Sequence, residues 1–206
     1  MLGSLLCGII QTPGPYLKKE KRGEKKEEDD MALKIGDKAP DFKLLGVDNK
    51  TYTLDSFKDK KIVTVMFICV HCPYVRAWEP RFLQIQKDYA DKGVTLVGIT
   101  SNDPIKFPED SFENTAKWAK EKGYNFPYLY DEDQSVARAY GAERTPEVFV
   151  FDEKRILRYH GRIDDNHEDP TQVKTHYLRD ALDAILAGKP VPIAETQPVG
   201  CTIKWK

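Results

Sequence analysis

Seven residues, Ile62-Val63-Thr64-Val65-Met66-Phe67-Ile68, form a nearly unbroken apolar, β-branched run that ends directly on Cys69-Val70-His71-Cys72-Pro73. Such a run reads as a strand covered on both faces of a sheet. Beyond it, Val75, Trp78, Phe82, Ile85 and Tyr89 recur at spacings of three and four, which predicts a helix over 73–91 that stops at Gly93. A cysteine where a buried strand turns into a helix has a chemical use. The unpaired N–H groups of the first turn and the helix dipole both favour a negative sulfur there. The thiolate is the nucleophile, so this place raises reactivity. Pro73 suits the first helical position, where a missing N–H costs nothing. The expectation is that Cys72 is the exposed nucleophile and that Cys69 lies at the strand exit.

The rest of the chain alternates in the same manner. Folded structure is expected from about Ile35, with a short strand over 50–54. Strands are predicted over 94–100 and 126–130, and helices over 111–122 and 134–140, each helix closed by a glycine. A hairpin follows, 148–152 with 156–160, then an amphipathic helix over 173–187 and a polar, proline-containing tail. The order β-α-β-α-β-α-β-β-α implies an α/β fold, a mixed sheet flanked by helices on both faces.

Composition narrows the function. There are 32 basic and 33 acidic residues among 206, a balance that argues against nucleic acid or a membrane surface as partner. Four cysteines, Cys7, Cys69, Cys72 and Cys201, are too few for a disulfide-stapled scaffold. A close pair among them points to redox or metal chemistry. The run from Leu2 to Ile10 lacks a basic flank and is too short to span a bilayer. The almost wholly charged segment from Lys18 to Asp30 cannot bury a core. Residues 1–30 are therefore expected to be a disordered leader, or a mis-assigned start upstream of Met31. Residues 31–190 are the expected domain, 191–206 a tail packing on it, and the cytoplasm the expected compartment.

From about Met31 onward the chain resembles the peroxiredoxin-like branch of the thioredoxin superfamily, redoxins of the alkyl hydroperoxide reductase/thiol-specific antioxidant type. The stretches that carry the resemblance are Ala39-Pro40-Asp41-Phe42, the Cys69 to Val75 segment, Ser101-Asn102-Asp103, Arg144-Thr145-Pro146-Glu147, Gly161-Arg162-Ile163-Asp164-Asp165 and Gly200-Cys201-Thr202-Ile203-Lys204-Trp205. It implies a thioredoxin fold with an N-terminal strand extension and an inserted helix. It also implies thiol–disulfide chemistry without a cofactor. Register matters: thioredoxins carry a proline in this helix eight residues after the attacking cysteine, and Pro80 is eight after Cys72. A mid-helix proline costs about 3 kcal/mol, so its place is informative. Cys72 then matches the attacking cysteine, and Val75 replaces the second one; in the other register Cys69-Val70-His71-Cys72 is the thioredoxin C-x-x-C and Cys69 attacks, and the place of Pro80 favours the first. Thr145-Pro146 matches the cis-proline that faces the cysteine and offers the Thr145 backbone to an extended substrate; Arg144 precedes it.

Two departures stand out. Met66 occupies the place of the buried thioredoxin acid. Counted back from Cys72, the Thr and Pro of the peroxiredoxin P-x-x-x-T-x-x-C signature are Cys69 and Val65. The resemblance thus extends to peroxiredoxin architecture rather than to its peroxide site.

Alternatives stay open at this level. Cys69, Cys72, His71 and Cys201 could together ligate zinc, although no metal is expected. His71 either flanks the site or stabilises the Cys72 thiolate. Arg162, Asp164 and Asp165 read as a solvated turn. The thiol that resolves Cys72 is Cys69 by preference, with Cys201 as the alternative. Three functions compete: a thiol–disulfide oxidoreductase, a weak peroxide reductase, and a non-catalytic redox-sensing module. The partners expected for the first are a disulfide-containing protein or small thiol substrate and a thiol reductant.

Overall fold

A computed structural model describes residues 32–206; the leader expected over 1–30 lies outside the described residues, as does Cys7. The apolar run forms strand β3, Ile62–Phe67, with every residue buried. Earlier strands are β1, Lys43–Gly46, and β2, Thr51–Thr53; later ones are β4, Val94–Thr100, and β5, Tyr128–Tyr130. Then come β6, Arg144–Thr145, β7, Glu147–Phe151, β8, Leu157–Gly161, and β9, Cys201–Thr202. The helices are α1, Pro73–Tyr89, α2, Phe112–Lys122, α3, Ser135–Tyr140, and α4, Tyr177–Leu186. Among the described residues no helix is long and apolar enough to cross a membrane.

Seven strands make one sheet in the order β2-β1-β5-β4-β3-β7-β8. β3 runs parallel to β4 and antiparallel to β7, so it is central, as its composition requires. Period-two alternation sends Ile62 and Met66 to one face, against Val75, Trp78, Phe82 and Ile85 of α1 and Leu178 and Leu182 of α4. Val63, Val65 and Phe67 go to the other, against Val136, Ala137 and Tyr140 of α3 and Phe57. Each such side chain contributes roughly 1.5–3 kcal/mol through burial. The mixed α/β sheet of the thioredoxin fold is thus present, with β1 and β2 as the strands added ahead of it.

Several boundaries differ from the sequence reading. β5 begins at Tyr128, two residues late, because Pro127 has no N–H to give a ladder. α4 begins at Tyr177 instead of near 173. The preceding residues are held extended, with Lys174 N–H on Asp165 Oδ1 and Asp165 N–H on Thr175 O. In the turn expected to be solvated, Arg162 and Asp165 are half-buried and Asp164 is buried outright. Asp164 is 2% exposed and accepts Trp78 Nε1 at 2.8 Å and Arg81 Nη1 at 2.5 Å. The indole and guanidinium donors on α1 account for its burial, a long-range pairing that no local pattern announces.

Candidate active site

The bend between β3 and α1 puts Cys72 at the N-cap of α1, with Pro73 at the first helical position and Pro80 inside the helix. Thr145-Pro146 is a cis bond. Thr145 faces both cysteines: Cys69 Sγ lies 3.3 Å from Thr145 Oγ1, and the Cys72 thiol reaches the Thr145 carbonyl at 3.1 Å. Cys201 arrives from the tail. β9 pairs antiparallel with β6, in the register Arg144↔Thr202 and Thr145↔Cys201, and Cys201 Sγ stands 3.0 Å from Cys72 Sγ. The Arg144 guanidinium donates to Gly200 O at 3.1 Å and so holds the tail. Cys69, Cys72, Thr145 and Cys201 are therefore brought together as the sequence proposed. Cys72 is not exposed, however: its accessibility is 0%, with Cys201 of the tail against its sulfur.

The electrostatics single out Cys72. The Cys69 thiol beside it favours its anion most. The Cys201 thiol and the N–H groups of Val75 and Cys201 add to this, and together they carry its pKa down from 9.0 to about 4 against the opposing effect of burial. The Thr145 carbonyl, which accepts from the Cys72 thiol, favours the protonated form. Its two partners move the other way. The Cys69 thiol is pushed well up by its pairing with Cys72, by burial and by the Asp110 carboxylate. Cys201 is raised to about 11 by burial and then by Cys72. Protons thus reside on Cys69 and Cys201, and both thiols can donate to the Cys72 anion.

A carboxylate is present after all, supplied from outside β3. Asp110, 0% exposed, is the last residue of a 3-10 turn ahead of α2. Its Oδ1 accepts the N–H groups of Val70 (2.8 Å) and His71 (3.2 Å), and its Oδ2 accepts Asn102 Nδ2 (2.8 Å) and meets His71 Nδ1 at 2.5 Å. From the other side Arg76 Nε holds Val70 O at 2.9 Å. The loop between the two cysteines is clamped at both edges. His71 is stacked on Phe107 and belongs to this clamp rather than to the principal groups acting on Cys72. Sequence reasoning missed Asp110, which reads in the chain as an ordinary acid near a helix start. Cys69 Sγ, His71 Nδ1 and an Asp110 oxygen lie within 4.8 Å of one another and could hold a metal ion, a different set from the four-ligand zinc site considered above.

The comparisons with known proteins agree with this geometry. A solved structure of an uncharacterized conserved protein from Geobacillus kaustophilus superposes with a TM-score of 0.80 at 43% identity, covering 84% of this chain and 93% of that one. Among curated proteins, thioredoxin-like protein YneN of Bacillus subtilis is 28% identical over 130 residues, 63% of this chain and 72% of its own length. Thiol:disulfide interchange protein DsbE of Haemophilus influenzae is 28% identical over 158 residues, 76% of this chain and 81% of its own length. The AhpC/TSA family model matches residues 35–160, from ahead of β1 into β8 and through the cysteine loop, and the chain belongs to that family.

Proposed function

We propose that this protein is a thiol–disulfide oxidoreductase whose nucleophile is Cys72. The observation that carries the reading is the place of the Cys72 sulfur, at the N-cap of α1, with a strongly lowered pKa and the Thr145 carbonyl beside it. A thiolate so placed attacks a substrate disulfide in line. It forms a mixed disulfide and expels one substrate sulfur as a thiolate, which takes a proton. Thr145 and Pro146 position the substrate backbone, Arg144 flanks that edge, and Asp110 with His71 holds the loop that carries both cysteines. The substrate is a protein or small molecule bearing a disulfide, and a separate thiol reductant closes the cycle. The working compartment we assign is the cytoplasm, where thiols of this kind are kept reduced.

A peroxide reductase is the competing activity, favoured by family membership. The Thr and Pro with which the peroxiredoxin signature holds a peroxide are replaced here by Cys69 and Val65, and the groups against the Cys72 sulfur include a backbone carbonyl and a thiol, which suit a peptide carrying sulfur. The test is turnover of an insulin disulfide with dithiothreitol beside consumption of hydrogen peroxide by the same preparation. Disulfide turnover lost in Cys72→Ser supports the proposal; peroxide consumption alone refutes it.

A further inference from the structure

Between Thr196 and Ile203 the chain is a strap fastened at both ends. Upstream, His160 donates its N–H to Ala194 O (3.0 Å), Thr196 donates to His160 O (2.9 Å), and Thr196 Oγ1 accepts the Arg162 N–H (3.1 Å). Downstream, Ile203 is 3% exposed and donates its N–H to Glu143 O at 2.8 Å. The Lys204 N–H bonds Asn102 Oδ1 (2.8 Å), and its carbonyl accepts from the Asp103 N–H (2.7 Å) and Gln134 Nε2 (2.9 Å). Between these anchors the strap is held lightly, by the two-residue ladder of β6 with β9 and by Arg144 on Gly200 O.

The strap lies where a substrate would. It fills the β6 edge beside Thr145 and presents a sulfur to Cys72, the two features that an extended disulfide-bearing segment has to offer. Gly200 permits the approach: a Cβ there would sit 2.1 Å from Thr145 O. We propose that β9 is a built-in counterpart of the substrate strand, and that Cys201 is the catalytic thiol that resolves the mixed disulfide on Cys72. This rests on the exchange reading above.

The steps balance. The strap lifts, and the Cys72 thiolate attacks R–S–S–R, forming Cys72–S–S–R and releasing RS⁻. The strap returns, and the Cys201 thiolate attacks Cys72 Sγ, breaking its bond to R and releasing a second RS⁻. The chain ends with a Cys72–Cys201 disulfide, and the substrate has gained two electrons and two protons, one proton coming from Cys201 and the other from solvent. A dithiol reductant returns both cysteines to thiols. The order is self-timed. Part of what raises the Cys201 pKa is the neighbouring Cys72 sulfur, and that influence disappears when Cys72 enters a disulfide. That release reaches Cys69 as well, so geometry decides between the two: Cys69 is 1% exposed and engaged by the Thr145 hydroxyl, whereas Cys201 is half-buried and stands against the Cys72 sulfur from the tail.

The experiment mixes the reduced full-length chain with oxidised glutathione, quenches with acid and maps the disulfides by mass spectrometry. The expected result is a Cys72–Cys201 link in the wild type and in Cys69→Ser, and glutathione retained on Cys72 in Cys201→Ser. Gly200→Ala, which keeps all thiols, should speed iodoacetamide labelling of Cys72 by roughly tenfold, since it removes the hydrogen bonds that close the strap. Uptake of glutathione at Cys72 followed by a Cys69–Cys72 link, or by no link, overturns the role of Cys201 alone. No uptake at Cys72, even in Gly200→Ala, overturns the exchange reading and this proposal with it. Unchanged labelling in Gly200→Ala overturns the strap as the cover of Cys72.

Discussion

Asp110 grips His71 twice, through the backbone N–H at 3.2 Å and through ring Nδ1 at 2.5 Å, and the same carboxylate takes the Val70 N–H. Asp110→Ala leaves these donors unpaired in a buried loop and should lower stability by roughly 3 kcal/mol, measured by urea unfolding. If the clamp positions Cys72, disulfide turnover falls by more than the folded fraction does, and Asp110→Asn, which still accepts a hydrogen bond, restores part of it. Turnover unchanged in folded Asp110→Ala contradicts the positioning role.

Cys72 should ionise in the acid range. Its anion is favoured first by the Cys69 thiol, then by Cys201 and the first-turn N–H, which places the folded pKa near about 4 against an ordinary 9.0. Ultraviolet thiolate absorbance, compared with Cys72→Ser, should therefore rise through that lower value and stay flat to neutral pH. The linkage has one sign. A pKa lowered by folding adds stability in full above the unfolded value, and the gain shrinks as pH falls and vanishes below the folded value. The stability difference between wild type and Cys72→Ser should grow from about pH 4 to about pH 9. A difference independent of pH contradicts the assignment.

His160 behaves in the opposite way. Burial alone pulls its pKa down, but the Glu147 carboxylate at 2.7 Å, helped by Glu195, carries it above the ordinary 6.5. A histidine raised by folding stabilises in full below its unfolded pKa, and the contribution is lost as pH rises through the folded value. Glu147 also accepts the N–H groups of Glu143 and Arg144, which carry β6. Melting temperatures should thus decline as pH rises past about 6.5 in the wild type and decline less in His160→Gln.

Asp164→Ala should destabilise by about 3 kcal/mol, because it leaves the buried Trp78 indole N–H unpaired and removes the carboxylate from Arg81, which keeps only the Asn166 and His167 carbonyls. The Cys72 titration should not move in this variant. A shifted titration would mean that α1 itself had been displaced.

Much of this architecture is written locally. The β3 run, the three-and-four spacing of α1 and the glycines after α1, α2 and α3 each encode one element, and each element forms where its pattern lies. Of the site, the cysteine bend was legible because backbone chemistry dictates it, a proline at a helix start, and Thr145-Pro146 was legible through the family resemblance. What was not legible depends on distant partners. Asp110 gains its role only when its loop meets Val70 and His71. The two-residue strand β9 has no pattern of its own and exists because Gly200 and Cys201 meet Thr145. β1 is four residues long with only alternate ones buried, too short a pattern to stand out in the chain.

Cys72 and Cys201 touch across 129 positions of chain. Contacts of such separation close the largest loops and form late, whereas the bend that creates the Cys72 thiolate is local. The reactive sulfur therefore comes into being before its cover does. During synthesis, when the amino-terminal part of a domain emerges first, there is an interval in which Cys72 stands at the head of its helix without the strap. Thiol-trapping of nascent chains should catch Cys72 in that interval and miss it in the finished protein.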